Sequence, residues 1–311
     1  MYNLVSCEQY TRERLEKLYE LTDQIAANPA AYADKLKGKI IATLFFEPST
    51  RTRFSFESAA LRLGAGVIST ENGNAGSSTA KGETLEDTIR VVMGYCDAII
   101  IRHSEDDSSE RAAAVSSVPI INAGAGSGEH PTQALLDLYT IRAKRGSLDG
   151  LKVAVMGDLR HGRTIHSLLK LLSLYDGLTV YGLSRELFQL TPKYVKFLKD
   201  KGIKYIVCKD FSDIPKDVDV LYHTRTQAER FDKSFSERVW DAVHGAPQSS
   251  EQFVVNKKIL SKFSEQTMLL HPLPRNEEID TNVDNDPRAL FFEQAHNGIP
   301  VRMAVLLTAI S

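Results

Sequence analysis

The sequence predicts an α/β protein with two doubly wound domains, each a mostly parallel sheet flanked by helices. Three observations predict it. Short β-branched, apolar runs alternate with stretches of helical periodicity, the alternation occurs in two separate series, and a turn-forming break near residues 145–150 parts them. Strands that alternate with helices build a parallel sheet, so each series makes its own domain.

The elements follow in order. The chain opens on a charged amphipathic helix with Leu15, Leu18, Thr22 and Ile25 on one face, which lacks the apolar core of a secretory signal. Residues 39–46 read as a buried strand, followed by a helix with Phe54, Ala59, Ala60 and Leu63 as its apolar positions. Residues 65–69, 98–102 and 119–122 complete the first strand series. Between the second and third strands, residues 71–82 are rich in Gly, Ser and Asn, have no apolar anchor and carry the single cation Lys81, which predicts an exposed loop. Pro131 then starts a helix whose apolar face is Ala134, Leu135, Leu138 and Ile141. The second series comprises strands at 151–156, 178–183, 204–208, 218–222 and 267–270, with a helix at 164–174 and an exposed loop at 241–252. A last helix at 291–310 presents Val301, Val305, Leu306 and Ala309.

Composition narrows the function. A content of 42% hydrophobic and 25% charged residues is that of ordinary globular protein. Lys and Arg number 38 against 40 Asp and Glu, so the net charge of −2 offers no broad footprint for nucleic acid or an anionic membrane. Apolar runs are too short to span a bilayer. Cys7, Cys96 and Cys208 are widely spaced and odd in number, which fits reduced thiols in the cytoplasm and neither a disulfide framework nor a zinc site.

The basic residues that matter are therefore local. Ser49, Thr50, Arg51, Thr52 and Arg53 fall where the first strand meets its helix, and a helix N-terminus with unpaired N–H groups and two guanidiniums is suited to hold a phosphate. The same residues would also serve as a plain cap with solvated arginines. Arg102 ends a strand, and His130 and Gln133 lie at a helix start; at the carboxyl edge of an open sheet these segments converge as hydrogen-bond donors to oxygen. Taken singly, Arg102 reads equally as a surface arginine beside Glu105, Asp106 and Asp107, and His130 as a cap.

In the second series, residues 157–164 run Gly-Asp-Leu-Arg-His-Gly-Arg-Thr between a strand and a helix. This nearly spells a nucleotide phosphate loop, but Arg163 stands where that loop has lysine, and no strand ending in a magnesium-binding aspartate follows. What remains is an arginine at a helix start. Arg225 and Gln227 follow another strand, and Arg163 with Arg225 suits a substrate bearing carboxylates. After the last strand comes His271-Pro272-Leu273-Pro274-Arg275, a turn stiffened by two prolines, one of which can be cis.

These motifs, in this order from residue 45 to 275, resemble those of the aspartate/ornithine transcarbamoylase family over nearly the whole chain. The resemblance implies transfer of a carbamoyl group from carbamoyl phosphate to the α-amine of L-aspartate, a step of de novo pyrimidine biosynthesis, with no cofactor and no metal. It implies a carbamoyl phosphate domain at 1–130, a linking helix at 131–145 and an aspartate domain at 150–288, with the helix at 291–311 packing back on the first domain. Carbamoyl phosphate is expected on Ser49, Thr50, Arg51, Thr52 and Arg102, with His130 and Gln133 near its carbamoyl group. Aspartate is expected on Arg163, Arg225, Gln227 and the backbone of Pro272 and Leu273. Thr52, Arg102, His130 and Lys81 are the expected catalytic residues. The family is trimeric, and Ser77 and Lys81 match residues lent to a neighbouring chain's site, where they meet carbamoyl phosphate and, for Lys81, aspartate. Regulatory chains are a further possible partner; nucleic acid and membrane are not.

Two stretches depart from the family pattern: Arg160-His161 stands where many members have Lys-Tyr, and 231–252 diverges. The ornithine-specific branch is disfavoured, because it typically has cysteine in the place of Pro272. A non-catalytic phosphate-binding member is disfavoured by the presence of Thr52, Arg102 and His130.

Overall fold

The computed structural model describes residues 2–71, 82–126, 128–226 and 253–310. The chain divides into two compact units, Met1–Tyr139 with His296–Ser311, and Thr140–Ala295. The divisions fall inside two helices, so the helix after Pro131 and the last helix each contribute to both units.

The first unit contains a four-stranded sheet in the order β2-β1-β3-β4, every pair parallel. Its strands are β1 (Ile40–Phe45), β2 (Gly66–Glu71), β3 (Ala98–His103) and β4 (Ile120–Ala125). The inner strands β1 and β3 are mostly apolar and buried, as strands covered by helices on both faces are. Those helices include α1 (Arg12–Ala27), α2 (Thr50–Arg62), α3 (Leu85–Val92), α4 (Ser108–Val115), the first part of α5 (Pro131–Arg145) and the end of the last helix. Leu15, Leu18, Thr22 and Ile25 of α1 are all buried.

The second unit has five strands in the order β7-β6-β5-β8-β9, again all parallel. They are β5 (Lys152–Met156), β6 (Thr179–Leu183), β7 (Lys204–Cys208), β8 (Val220–His223) and β9 (Met268–Leu270). Helices α6 (Arg163–Leu172), α7 (Pro192–Asp200) and the short α8 (Lys257–Leu260) belong to it, and α9 (Phe291–Ile310) begins in it. The expected α/β class with two parallel sheets is thus borne out.

One expectation is corrected. Phe54 of α2 is 56% exposed, and Phe56 takes the core position instead. The buried Ala59, Ala60 and Leu63 define a stripe, and stepping back three, four and seven residues from them reaches Phe56, not Phe54. The loops expected at 71–82 and 241–252 fall almost wholly outside the described residues, as do Ser77, Lys81 and Gln227.

Each sheet reverses its winding once. The chain moves outward from β1 to β2 and then returns to place β3 on the other side of β1; likewise β8 returns beside β5. At such a reversal the connections leave in opposite directions, which opens a crevice at the carboxyl ends of the two strands.

Candidate active site

In the first unit the reversal lies between β1 and β3. Phe45 pairs with Arg102, and the Phe46 N–H donates to the Arg102 carbonyl at 2.8 Å, so the turn into α2 starts beside Arg102. Ser49 is the N-cap of α2, yet its hydroxyl makes no capping bond, and Thr50, Arg51, Thr52 and Arg53 form the first turn. The plain-cap reading of this segment loses its main support with that observation. Thr52 is buried while Thr50 and Arg51 are exposed.

Helix α2 is fixed from below. Glu57 accepts hydrogen bonds from Thr43 of β1 at 3.1 Å and Ser69 of β2 at 2.6 Å, and lies 3.6 Å from the Arg53 guanidinium one turn earlier. The helix start is thereby held against the sheet, and Arg53 is engaged with its own helix.

Arg102 is 8% exposed. Its Nη1 donates to the Ala123 carbonyl of β4 at 3.3 Å, and its Nη2 lies 3.2 Å from Glu47 in the turn after β1. A guanidinium so placed presents charged hydrogen-bond donors at the sheet edge. The end of β4 runs alongside, with the Gly126 N–H donating to the His103 carbonyl at 3.0 Å. The following loop returns through Glu129, whose carboxylate accepts from Ser6 Oγ at 2.9 Å and the Cys7 N–H at 2.6 Å. This anchors buried His130 at the start of α5, with half-buried Gln133 beside it on the first turn. Strand pairing therefore sets Ser49, Thr50, Arg51, Thr52, Arg102, His130 and Gln133 along one sheet edge.

The second unit repeats the plan between β5 and β8. Gly157 follows β5 with φ +96°, and a Cβ there would meet the Thr224 carbonyl oxygen at 1.9 Å, so only glycine lets the two strand ends approach. Buried Asp158 accepts from the His161 N–H at 2.9 Å and shapes the turn, which delivers Arg163 as the first residue of α6, 5% exposed. Arg225, half-buried, follows β8 and donates from Nη1 to the Thr226 carbonyl at 3.0 Å.

Beyond β9, Leu273 has φ 54° and the Leu273–Pro274 peptide is cis. His271 supports this turn from beneath: its Nδ1 accepts the Leu273 N–H at 2.8 Å, and its Nε2 lies 2.8 Å from Glu278. Since Nδ1 accepts, the ring proton sits on Nε2 and is donated to the carboxylate. Burial pushes the Glu278 carboxyl up, but this bond and those from backbone N–H groups outweigh it and hold the pKa down to about 2. Pro272 and Leu273 are half-buried on this frame.

Two hydroxyls escaped sequence reasoning. Thr132 Oγ1 at the start of α5 and Thr164 Oγ1 at the start of α6 are buried and make no hydrogen bond among the described residues. Each follows a predicted site residue within the first turn, which is the signal that would have found them.

Known proteins similar to this chain identify its family. The family model for the carbamoyl-P binding domain of aspartate/ornithine carbamoyltransferase matches residues 2–143, and that for the Asp/Orn binding domain matches residues 149–309. A relative in Pisum sativum, aspartate carbamoyltransferase 1, chloroplastic, is 43% identical over 307 residues, 98% of this chain and 77% of the pea chain. The solved catalytic subunit of aspartate transcarbamoylase from Methanocaldococcus jannaschii has TM-score 0.88 and 42% identity, covering 100% of this chain and 98% of its own. Aspartate transcarbamoylase from Trypanosoma cruzi, solved with carbamoyl phosphate and aspartate, has TM-score 0.91 and 37% identity over 99% of this chain and 97% of its own. The chain belongs to the aspartate/ornithine carbamoyltransferase family.

Proposed function

We propose that the protein transfers the carbamoyl group of carbamoyl phosphate to the α-amine of L-aspartate, giving N-carbamoyl-L-aspartate and phosphate. One observation carries this reading: each sheet reverses where a helix start bearing arginine meets the end of a neighbouring strand, with residues 49–53 and Arg102 in one unit and Arg163 and Arg225 in the other. Two cationic sites suit two anionic substrates, a phosphate and a dicarboxylate. Ornithine, with an amine in place of the second carboxylate, gives the second arginine nothing to pair with. The relatives named aspartate carbamoyltransferase support the same choice.

In the mechanism, the neutral α-amine attacks the carbamoyl carbon, a C–N bond forms, and the carbonyl oxygen takes up negative charge. Thr52, Arg102 and His130 donate hydrogen bonds to that oxygen. The C–O bond to phosphate then breaks, and the amine proton passes to a phosphate oxygen, so the leaving group serves as the base. Residues 49–52 grip the phosphate and Gln133 the carbamoyl group, while Arg163, Arg225, Gln227 and the backbone of Pro272 and Leu273 hold the dicarboxylate. Fixing both substrates supplies much of the rate through proximity and orientation.

The functional assembly in this proposal is a homotrimer in which Ser77 and Lys81 complete a neighbour's site. Phe54 and Leu61, 56% and 61% exposed on α2, support a contact between copies at this face. The cytoplasm is the proposed compartment, which the three free cysteines support.

Mixing a Lys81→Ala protein with a His130→Ala protein, each of much reduced activity, tests the transfer and the shared site. Hybrids more active than either variant support shared sites; a mixture no more active than its parts after subunit exchange overturns them.

A further inference from the structure

Arg302 lies in the middle of α9, 3% exposed, in the part of that helix that belongs to the first unit. Its guanidinium packs over the Phe56 ring at 5.0 Å, and its Nη1 donates to Ser55 Oγ at 2.8 Å, both residues of α2. Burial disfavours its charge and outweighs the fully buried carboxylate of Asp137 on α5, which favours it, leaving its pKa lowered to about 10. Asp137 in turn accepts the Gln133 Nε2–H at 2.8 Å. Gly298, one turn earlier on α9, makes the room: a Cβ there would meet Arg302 Nη1 at 2.2 Å, with Ser55 Oγ at 3.4 Å and Leu136 Cδ2 at 3.3 Å.

A fully buried guanidinium is a poor way to gain stability, since its desolvation offsets most of what neighbouring groups return. Arg302 Nε, moreover, has no hydrogen-bond partner among the described residues. The arrangement makes sense as a strut. Ser55 rides on the helix whose first turn is the phosphate cradle, and Asp137 orients a side chain at the start of the helix that carries His130.

We propose that Arg302 is a positioning residue that sets the spacing between the phosphate cradle of α2 and the carbamoyl-facing Gln133 of α5. The inference rests on the proposed reading of Gln133 as a contact of the carbamoyl group. Arg302 touches no substrate in this account; it acts through Ser55 and Asp137. Misplacement of a binding group by about 1 Å costs up to about a hundredfold in rate, so a partial displacement of the guanidinium is expected to cost about tenfold.

The direct test is Gly298→Ala, which pushes the guanidinium aside yet favours the helix it sits in. The carbamoyl phosphate KM is expected to rise about tenfold, while inhibition by inorganic phosphate, which needs only the cradle, changes less than about twofold and the thermal midpoint does not fall. The second variant is Asp137→Asn with Arg302→Met, which removes both charges and keeps an acceptor for Gln133; the same split is expected. Equal losses for carbamoyl phosphate and inorganic phosphate, or an unchanged carbamoyl phosphate KM in either variant, overturns the proposal. Absence of turnover in the unaltered protein defeats the reading of the activity, and this inference with it.

Discussion

Glu47 and Arg102 form an ion pair at 3.2 Å that joins the turn after β1 to the end of β3. The carboxylate occupies one side of the guanidinium on which the phosphate reading depends. Because the pair is only partly exposed, the competition it offers to an incoming anion is modest but measurable. Glu47→Gln is expected to bind inorganic phosphate about twofold to fivefold more tightly, equivalent to the ~0.5–1 kcal/mol of such a pair. Calorimetric titration checks it; weaker phosphate binding in the variant would show that Glu47 supports the site and does not compete for it.

Thr52, buried in the first turn of α2, and His130, buried at the start of α5, are assigned to the developing oxyanion. Removing one donor of this kind lowers kcat on the order of 10²-fold. Thr52→Ala and His130→Ala should each show that loss at saturating substrates, with the KM for aspartate little changed. A variant with full turnover removes that residue from the mechanism.

How much of this was legible beforehand follows from how local each feature is. The strands were readable because buried parallel strands are continuous apolar runs, as in Ile99, Ile100 and Ile101. The proposed anion sites were readable because a strand, a Gly- or Ser-bearing turn and an arginine lie within ten residues of chain. Helices such as α4, Ser-Ser-Glu-Arg-Ala-Ala-Ala-Val, offer too few large apolar residues to display a period. Arg302 and Ser55 are 247 residues apart, and nothing local marks them as neighbours; only packing of α9 against α2 creates that contact. Phe54 misled because an aromatic beside a helix start reads as core until the stripe is counted from its buried end.

Arg163 and Arg225 frame the second reversal and are assigned to the two carboxylates of aspartate. Losing a charged hydrogen-bond partner of a ligand costs about 1.5–3 kcal/mol, or roughly tenfold to a hundredfold. Arg225→Gln should raise the KM for aspartate by that factor and leave the KM for carbamoyl phosphate near its original value. Steady-state kinetics with each substrate varied in turn separates the two; a rise confined to carbamoyl phosphate contradicts the assignment.

The Glu278 carboxylate, bonded to His271 beneath the Leu273 turn, has a folded pKa of about 2 against an ordinary 4.5. A depressed folded pKa means that the unfolded chain binds the proton more readily. The stabilisation is therefore fully present above about pH 4.5 and is lost as the pH falls toward about 2. After allowance for the partial exposure of the carboxylate, it amounts to about 1–2 kcal/mol near neutrality. The thermal midpoint of Glu278→Gln should lie below that of the unaltered protein at about pH 7, with the gap narrowing at about pH 3.5. A gap independent of pH contradicts the origin given for it.

The central claim is tested most directly by supplying the purified protein with carbamoyl phosphate and either L-aspartate or L-ornithine, and following carbamoylated product and phosphate together. N-carbamoyl-L-aspartate and phosphate are expected in equal amounts, with kcat/KM for aspartate at least about a hundredfold above that for ornithine. No carbamoyl aspartate at saturating substrates, or a preference for ornithine, would contradict it.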